Sequence, residues 1–359
     1  MPMVYKDFLE RIFEKALAKG ASDIHLSVGR YPTLRIDGVL VPLKEEKILD
    51  QYDTEQLASL ILGEERKKKF LKEKQLDFSY EYKNKARFRV NTYFQRGVIS
   101  VALRLIPSRI RTIEELNLPA SLHQFTKLEQ GFVLITGPAG HGKSTTLAAL
   151  IDEINHTRAD HIITIEDPIE YVFVQDKAII DQREVGRDTK SFHEALRATL
   201  RQDPDVIMVG EMRDYESIAI ALTAAETGHL VFSTLHTNSA AQTIDRIIDV
   251  FPADQQHQVR IQLASVLVGI VSQRLLQRTK GGRIPACEVM IANPAIANII
   301  REKRTHELDM VIATSSKEGM ISLNHSLANL VIKGEVTYEE AMRYSLNPSE
   351  LRLILKKMR

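Results

Sequence analysis

The chain has 359 residues, enough to bury more than one hydrophobic core. Its 48 lysines and arginines nearly balance 47 aspartates and glutamates, leaving a net charge of +1 and no overall basic field for nucleic acid. A single cysteine, Cys287, excludes an intrachain disulfide and a cysteine-built zinc site, and suits a reducing cytoplasm. No apolar run approaches the roughly 18 residues that a membrane span needs, and residues 1–10 carry no signal-peptide pattern.

Residues 5–19 read as an amphipathic helix, with Phe8, Ile12, Phe13 and Leu17 on one face and Gly20 beyond its end. Short strand-like runs follow at 23–27, 33–36 and 39–43, and Asp37-Gly38 between the last two is a tight-hairpin signal. Residues 54–70 read as a helix ending in a basic run. Residues 77–81, 86–95 and 98–105 read as strands, with a turn at Arg96-Gly97. Residues 1–105 thus form a smaller α+β domain, and 106–119 a linker. From 120 to 359, strands alternate with helices, which predicts an α/β domain with a mainly parallel sheet. Residues 255–276 read as one helix, and the pattern from about 293 is helical, with breaks near Gly319 and Gly334.

The most informative segment begins with the apolar run Phe132, Val133, Leu134 and Ile135. It is followed by Thr136, Gly137, Pro138, Ala139, Gly140, His141, Gly142, Lys143, Ser144 and Thr145. This is the spacing of a phosphate-binding loop between a buried strand and a helix. Glycines let backbone N–H groups crowd around a phosphate, and the helix points its positive end at the same place. Lys143 is suited to the β/γ-phosphates of a nucleoside triphosphate and the Ser144 hydroxyl to Mg²⁺.

Hydrolysis also needs a base near the γ-phosphate. Two strand ends supply acids: Ile162–Ile165 run into Glu166, Asp167 and Glu170, and Val206–Val209 into Gly210 and Glu211. Ligands of open α/β sheets bind at such carboxyl ends. Where nucleotide hydrolases commonly place a metal-holding aspartate, this chain has Gly210, so Glu211 is the candidate base. Mg²⁺ then leans on Ser144, phosphate, water and the Glu166 group. A further strand has a histidine at either end, His229 and His236, which suits either a phosphate sensor or two structural histidines.

Together these segments resemble the secretion-ATPase superfamily of P-loop motors, over almost the whole chain. Residues 137–144 are similar to its Walker A motif and 166–170 to its aspartate box. Residues 203–214 are similar to its glycine–glutamate Walker B motif, and 228–237 to its histidine box. Within the superfamily the type IV pilus retraction ATPases (PilT-like) are most similar, on residues 21–26, 35–38, 210–214 and 223–237. The resemblance implies a RecA-like ATPase domain preceded by a PAS-like domain, assembled as a homohexamer with ATP and Mg²⁺. It implies that His229 and His236 belong to the nucleotide site and that arginines of the N-terminal domain reach the γ-phosphate. Arg104, Arg109 and Arg111 hold those positions. It also implies work at the cytoplasmic face of the inner membrane, on a pilus platform protein and the pilus machinery, with no nucleic acid.

The retraction family carries a motif that here reads Ala295, Ile296, Ala297, Asn298, Ile299, Ile300, Arg301, Glu302, with Ala297 replacing an arginine. Ile296, Ile299 and Ile300 still make one helical face. An accessory retraction ATPase is the neighbouring alternative. Extension and type II secretion ATPases usually carry a four-cysteine zinc element and a longer N-terminal region, which this sequence lacks. A nucleic-acid motor would need an aromatic, basic tracking surface, and there is no tryptophan. A regulator that binds ATP without hydrolysing it is disfavoured by Lys143, Glu166 and Glu211.

Overall fold

The computed structural model describes all residues except Met1, Asp37, Asn84, Pro107, Ser108, Arg213 and Arg359, and except the side chains of Pro2 and Met3. The Asp37 half of the predicted hairpin, and the first two linker residues after Ile106, therefore lie outside the described residues. The chain divides into two compact units, Met1–Arg109 with Pro168–Val172, and Ile110–Asp167 with Phe173–Arg359.

The first unit contains α1 (Pro2–Ala18), β1 (Asp23–Leu26), β2 (Thr33–Ile36), β3 (Val39–Pro42), α2 (Gln51–Glu73), β4 (Gln75–Tyr82), β5 (Ala86–Gln95) and β6 (Val98–Ile106). Its six strands form an antiparallel sheet in the order β3-β2-β1-β6-β5-β4. The apolar face of α1, Phe8, Leu9, Ile12 and Phe13, packs with α2 against one side of that sheet. The Asp50 side chain accepts from the Asp53 amide and Asp53 answers to the Asp50 amide, a capping box that starts α2 three residues earlier than the sequence pattern suggests. Gly63, with φ +69°, interrupts α2 midway. The Arg96-Gly97 turn joins β5 to β6, both residues having positive φ.

The second unit opens with a short 3-10 turn, Ala120–Lys127, and then β7 (Gly131–Thr136) and α3 (Lys143–Thr157). It continues with β8 (His161–Glu166), β9 (Ile179–Glu184), α4 (Phe192–Thr199), β10 (Val206–Val209), α5 (Tyr215–Glu226) and β11 (Leu230–Leu235). After α6 (Ala240–Asp249) and α7 (Gln256–Val266) come β12 (Leu267–Gln277) and β13 (Arg283–Ile291). Seven strands run in the order β13-β12-β7-β11-β10-β8-β9, all parallel except the β12–β13 pair. This is the RecA-like α/β architecture expected from the motifs. Strands β7, β10 and β11 are wholly buried, which is why they read as continuous apolar runs rather than alternating ones.

One expected element is wrong. Residues 255–276 are not a single helix: α7 stops at Val266 and the chain continues as the long strand β12. In the segment 267–271, Val268, Ile270 and Val271 are β-branched and Gly269 lies mid-run, both unfavourable to helix. Tertiary pairing on both sides, to β7 and β13, then decides for strand.

The carboxyl-terminal segment is helical, with α8 (Pro294–Arg301), α9 (Leu308–Thr314), α10 (Leu323–Ile332), α11 (Tyr338–Tyr344) and α12 (Pro348–Met358). Gly319 and Gly334 fall in the breaks. Asn293 caps α8 by accepting from the Ile296 amide, and Ile296, Ile299 and Ile300 are buried as their spacing predicts. Leu323, Leu327, Leu351 and Leu355 close over Leu276, Ile284 and Ala286 of the outer strands.

Gly269 tests the placement of β12. A β-carbon there would lie 2.3 Å from Cε1 and Cζ of Phe125, a fully buried ring. Gly269→Ala should therefore lower stability by about 1–3 kcal/mol through overpacking. Adding Phe125→Leu should recover part of the loss, read as paired shifts in denaturant midpoint. An unchanged midpoint in the single variant would contradict the packing.

Candidate active site

Four parallel strands of the second unit end at one edge. The register sets Leu235 of β11 beside Thr136 of β7, and Val209 of β10 beside Ile165 of β8. The residues that follow, Gly137, His236, Gly210 with Glu211, and Glu166 at the end of β8, are thereby gathered at that edge by topology alone. β12 pairs Ser272 with Thr136, so Gln273 joins them.

The loop from Gly137 to Gly142 turns through three positive-φ glycines, at +144°, +77° and +83°. Gly142 caps α3 without any side-chain hydrogen bond, which leaves the positive end of a 15-residue helix to be met by an anion. Lys143 is buried. Its Nζ donates to the carbonyl oxygens of Gly137 at 2.8 Å and Pro138 at 3.0 Å, and lies 3.4 Å from His236 Nδ1. Ser144 and Thr145 begin the helix half-buried, beside the exposed Ala139 and Gly140.

His236 Nε2 lies 3.3 Å from Glu211 Oε2. The ring meets a cationic donor at Nδ1 and a carboxylate acceptor at Nε2. Lys143, His236 and Glu211 thus form one connected row. Glu211 itself is positioned by its neighbours. The Gly210 amide donates to Ile165 O at 2.8 Å, Thr234 Oγ1 donates to Gly210 O at 2.6 Å, and the Met212 amide donates to Thr234 O at 3.3 Å. A β-carbon at Gly210 would lie 3.3 Å from Ile165 O, so β10 ends tightly against β8. Glu166 is buried, its Oε1 accepting from Thr164 Oγ1 at 2.7 Å and Gln182 Nε2 at 3.1 Å.

Other residues singled out in the sequence fall elsewhere. His229 precedes β11 and lies at the opposite edge of the sheet, one six-residue strand or about 20 Å away. Its Nδ1 is 2.9 Å from Ala224 O, and its own carbonyl accepts from the Gly131 amide, a structural arrangement within the chain. The His141 ring is turned away from the loop mouth: its Nδ1 accepts from the Leu275 amide at 2.9 Å. Burial, then the nearby Arg274 and Lys143 charges, hold the His141 pKa below its ordinary value, which suits that acceptor role. Arg104 on β6 pairs with Asp23 Oδ1 at 3.0 Å and remains largely exposed. Arg109 belongs to the first unit and Arg111 to the second.

Sequence reasoning missed Gln273. Its side chain is buried; Oε1 accepts from Thr146 Oγ1 at 2.7 Å and Nε2 donates to His141 O at 2.8 Å. Its backbone carbonyl oxygen is the atom that a β-carbon at Gly137 would meet at 2.4 Å. Beside it, Arg274 donates to Asn238 O and Oδ1 at 3.2 and 2.8 Å, just past the histidine box. The signal was three consecutive polar residues, Ser272, Gln273 and Arg274, inside an apolar run; all three are buried.

A family model described as type II/IV secretion system protein matches residues 3–281. The chain is 47% identical over 328 residues to the type IV pilus retraction ATPase PilT of Pseudomonas aeruginosa, covering 90% of this chain and 94% of that protein. It is 43% identical over 324 residues to a twitching motility protein of Neisseria gonorrhoeae, covering 89% and 86%. The crystal structure of the pilus retraction motor PilT with bound ADP matches with a TM-score of 0.89 at 50% identity, over 96% of this chain and 98% of that one. Among the described residues no helix is long and apolar enough to cross a membrane. A phosphate loop, a glycine–glutamate strand end and a histidine at the adjoining strand end therefore occur together in a chain that belongs to the type II/IV secretion system protein family, the secretion ATPases.

Proposed function

We propose that the chain is a homohexameric motor that hydrolyses ATP to disassemble and retract a type IV pilus, at the cytoplasmic face of the inner membrane. The observation that carries the hydrolytic part is the row Lys143–His236–Glu211 at the mouth of the phosphate loop. Similarity to retraction ATPases over nine-tenths of the chain supports the direction of work.

In this reading the triphosphate lies along Gly137–Thr145, its β- and γ-phosphates meeting backbone amides, the start of α3 and the Lys143 ammonium. The lysine exchanges the Gly137 and Pro138 carbonyls for phosphate oxygens. Ser144 would hold Mg²⁺ with phosphate and water, and the Glu166 carboxylate is the acid suited to its outer shell. A cation that keeps several waters fits this sparse donor set. Mg²⁺ would supply neutralisation of phosphate charge. Glu211 accepts a proton from water as the water oxygen bonds to the γ-phosphorus. The bond from that phosphorus to the bridging oxygen breaks, and ADP and phosphate leave.

His236 would register the event, because the phosphate competes with its ring for the same ammonium. Arg104, Arg109 and Arg111 are proposed to stabilise γ-phosphate charge, and His229 to meet nucleotide only across a subunit boundary. Gln273 is proposed to position the loop rather than to touch substrate.

Lys143→Ala should lose most nucleotide affinity and lower ATP turnover at least about tenfold; near-normal turnover would sink the phosphate-loop assignment. Glu211→Gln should retain ATP binding while turnover falls by about 10²–10⁴-fold. A fall below about tenfold would transfer the base role to Glu166 or Asp167. Gln273→Ala removes two buried hydrogen bonds from the loop and should raise the KM for ATP about tenfold, with kcat far less affected. Gln273→Glu, which keeps the Thr146 bond, should be milder on KM; equal KM values in all three proteins would remove the positioning role. Cells lacking the protein should carry excess pili and fail to twitch, whereas bald cells would reverse the direction of work to extension.

A further inference from the structure

Three neighbouring strands of the second unit carry a row of buried polar side chains. The register sets Ser272 of β12 beside Thr136 of β7 on one side and Glu288 of β13 on the other. Thr136 Oγ1 donates to Ser272 Oγ at 3.0 Å, and the Ser272 hydroxyl hydrogen-bonds the Glu288 carboxylate. The row ends on a helix: Glu288 Oε1 accepts from the amide of Ala240, the first residue of α6, at 2.7 Å. Thr136 and Ala240 are fully buried, and Ser272 and Glu288 nearly so.

Each end of the row adjoins the candidate site. Thr136 immediately precedes Gly137 and the phosphate loop. Ala240 comes four residues after His236, whose ring lies 3.4 Å from Lys143 Nζ and 3.3 Å from Glu211 Oε2. A second tether runs beside the first, because the buried Arg274 donates to Asn238 O and Oδ1. The turn between β11 and α6 is thus held at two points, at Asn238 by β12 and at Ala240 by β13. Ser239 between them caps α6, its hydroxyl accepting from the Gln242 amide.

The residue type at 288 calls for a reason. A carboxylate this buried weakens a fold unless its oxygens are used, and an apolar side chain of similar size would fill the space with less penalty. Its hydrogen-bond partners are one amide and one hydroxyl, while the Arg274 charge favours the carboxylate and Asp309 of α9 opposes it. What these contacts supply is a fixed position for α6 and for the turn ahead of it, more than net stability.

We propose that Glu288 is a positioning residue of the ATPase site: by linking the first amide of α6, through Ser272, to the strand that enters the phosphate loop, it fixes His236 against Lys143 and Glu211. This rests on the hydrolytic reading of that site. Glu288 itself touches no nucleotide. With the link cut, the turn after His236 gains freedom and the imidazole is less often in place beside Glu211. Hydrolysis then slows while nucleotide still binds to the loop and to Lys143.

The experiment compares ATP turnover and calorimetric affinity for ADP with Mg²⁺ in the intact protein and in two variants. Glu288→Met fills the space but offers no acceptor; kcat should fall at least about tenfold, with the Kd for ADP within about threefold of the unaltered value. Glu288→Gln keeps an oxygen for the Ala240 amide and should hold kcat within about threefold. In a His236→Ala background, Glu288→Met should lower kcat by less than about twofold more, because the group it positions is gone. Circular dichroism and the thermal midpoint establish the folded fraction to which each kcat refers. A merely structural glutamate would shift the midpoint and leave kcat per folded chain unchanged, and that result would overturn the proposal. Equal losses in the Met and Gln variants, or full additivity with His236→Ala, would overturn it too. Should Glu288→Met not fold, Ser272→Ala carries the test, since it cuts the row without altering residue 288. There kcat should fall at least about threefold with ADP affinity kept, and an unchanged kcat would overturn the proposal. Lys143→Ala separates the two readings. If it is inactive while Glu288→Met retains full kcat, the positioning role alone is lost; if it turns over ATP normally, the hydrolytic reading fails and the positioning role with it.

Discussion

A β-carbon on residue 137 would lie 2.4 Å from the carbonyl oxygen of Gln273, a separation that no side chain tolerates. Glycine at this position lets β12 run beside β7 up to the point where the phosphate loop begins. The neighbouring strand then grips the loop three times. Gln273 Nε2 reaches His141 O, Gln273 Oε1 receives the Thr146 hydroxyl, and the Leu275 amide reaches the His141 ring. Both ends of the buried amide are satisfied, so the arrangement contributes hydrogen bonds without leaving a buried group unpaired. A loop clamped in this way has little freedom to collapse between turnovers, and its amides are set in advance for anionic oxygens.

The same strand extends the constraint outward. Arg274 is buried and spans to Asn238, at the start of the turn into α6. The first amide of α6, that of Ala240, donates to Glu288 on β13 at 2.7 Å. Burial pushes Glu288 up to about 7, against the helix amide, Ser272 and the Arg274 charge, all of which favour the carboxylate. The phosphate loop, the histidine-bearing end of β11 and α6 are thus joined through polar groups with few alternative partners. A shift at His236 would be felt at Asn238, two residues on, and through Arg274 at Gln273. This gives the chemistry a short physical route to the helices on the sheet's flank.

Much of the site was legible because its signals were local. The buried strand before Gly137, the glycine spacing, and the acids after Ile165 and Val209 need no long-range information, and each occurs where a strand ends in the structure. The face of α8 was legible for the same reason, as Ile296, Ile299 and Ile300 repeat with the helical period. Gln273 was hidden because its role depends on a partner 127 residues away, and because residues 255–276 look helical until β7 and β13 claim them. His229 differs from His236 in its placement. As the sequence pattern of a histidine at either end of a strand implies, the six residues of β11 separate it from His236. The segment Pro168–Val172 joins the first unit rather than the second, a long-range preference that no local pattern encodes.

The two strand-end carboxylates differ in a way that fits different tasks. Gly210 keeps β10 tight against β8, and the acid that other nucleotide hydrolases carry at that position is moved one residue further along. Glu211 consequently follows the end of the strand, partly open to solvent, with His236 Nε2 3.3 Å from its Oε2. Glu166 is the reverse, buried at the end of its strand and held by Thr164 and Gln182. A base must take up and release a proton in every cycle, which favours the group with access to water. A group that only orients a hydrated cation gains from being fixed. The asymmetry of their surroundings, rather than their shared chemistry, is what supports the proposal of proton transfer for Glu211 and of the supporting position for Glu166.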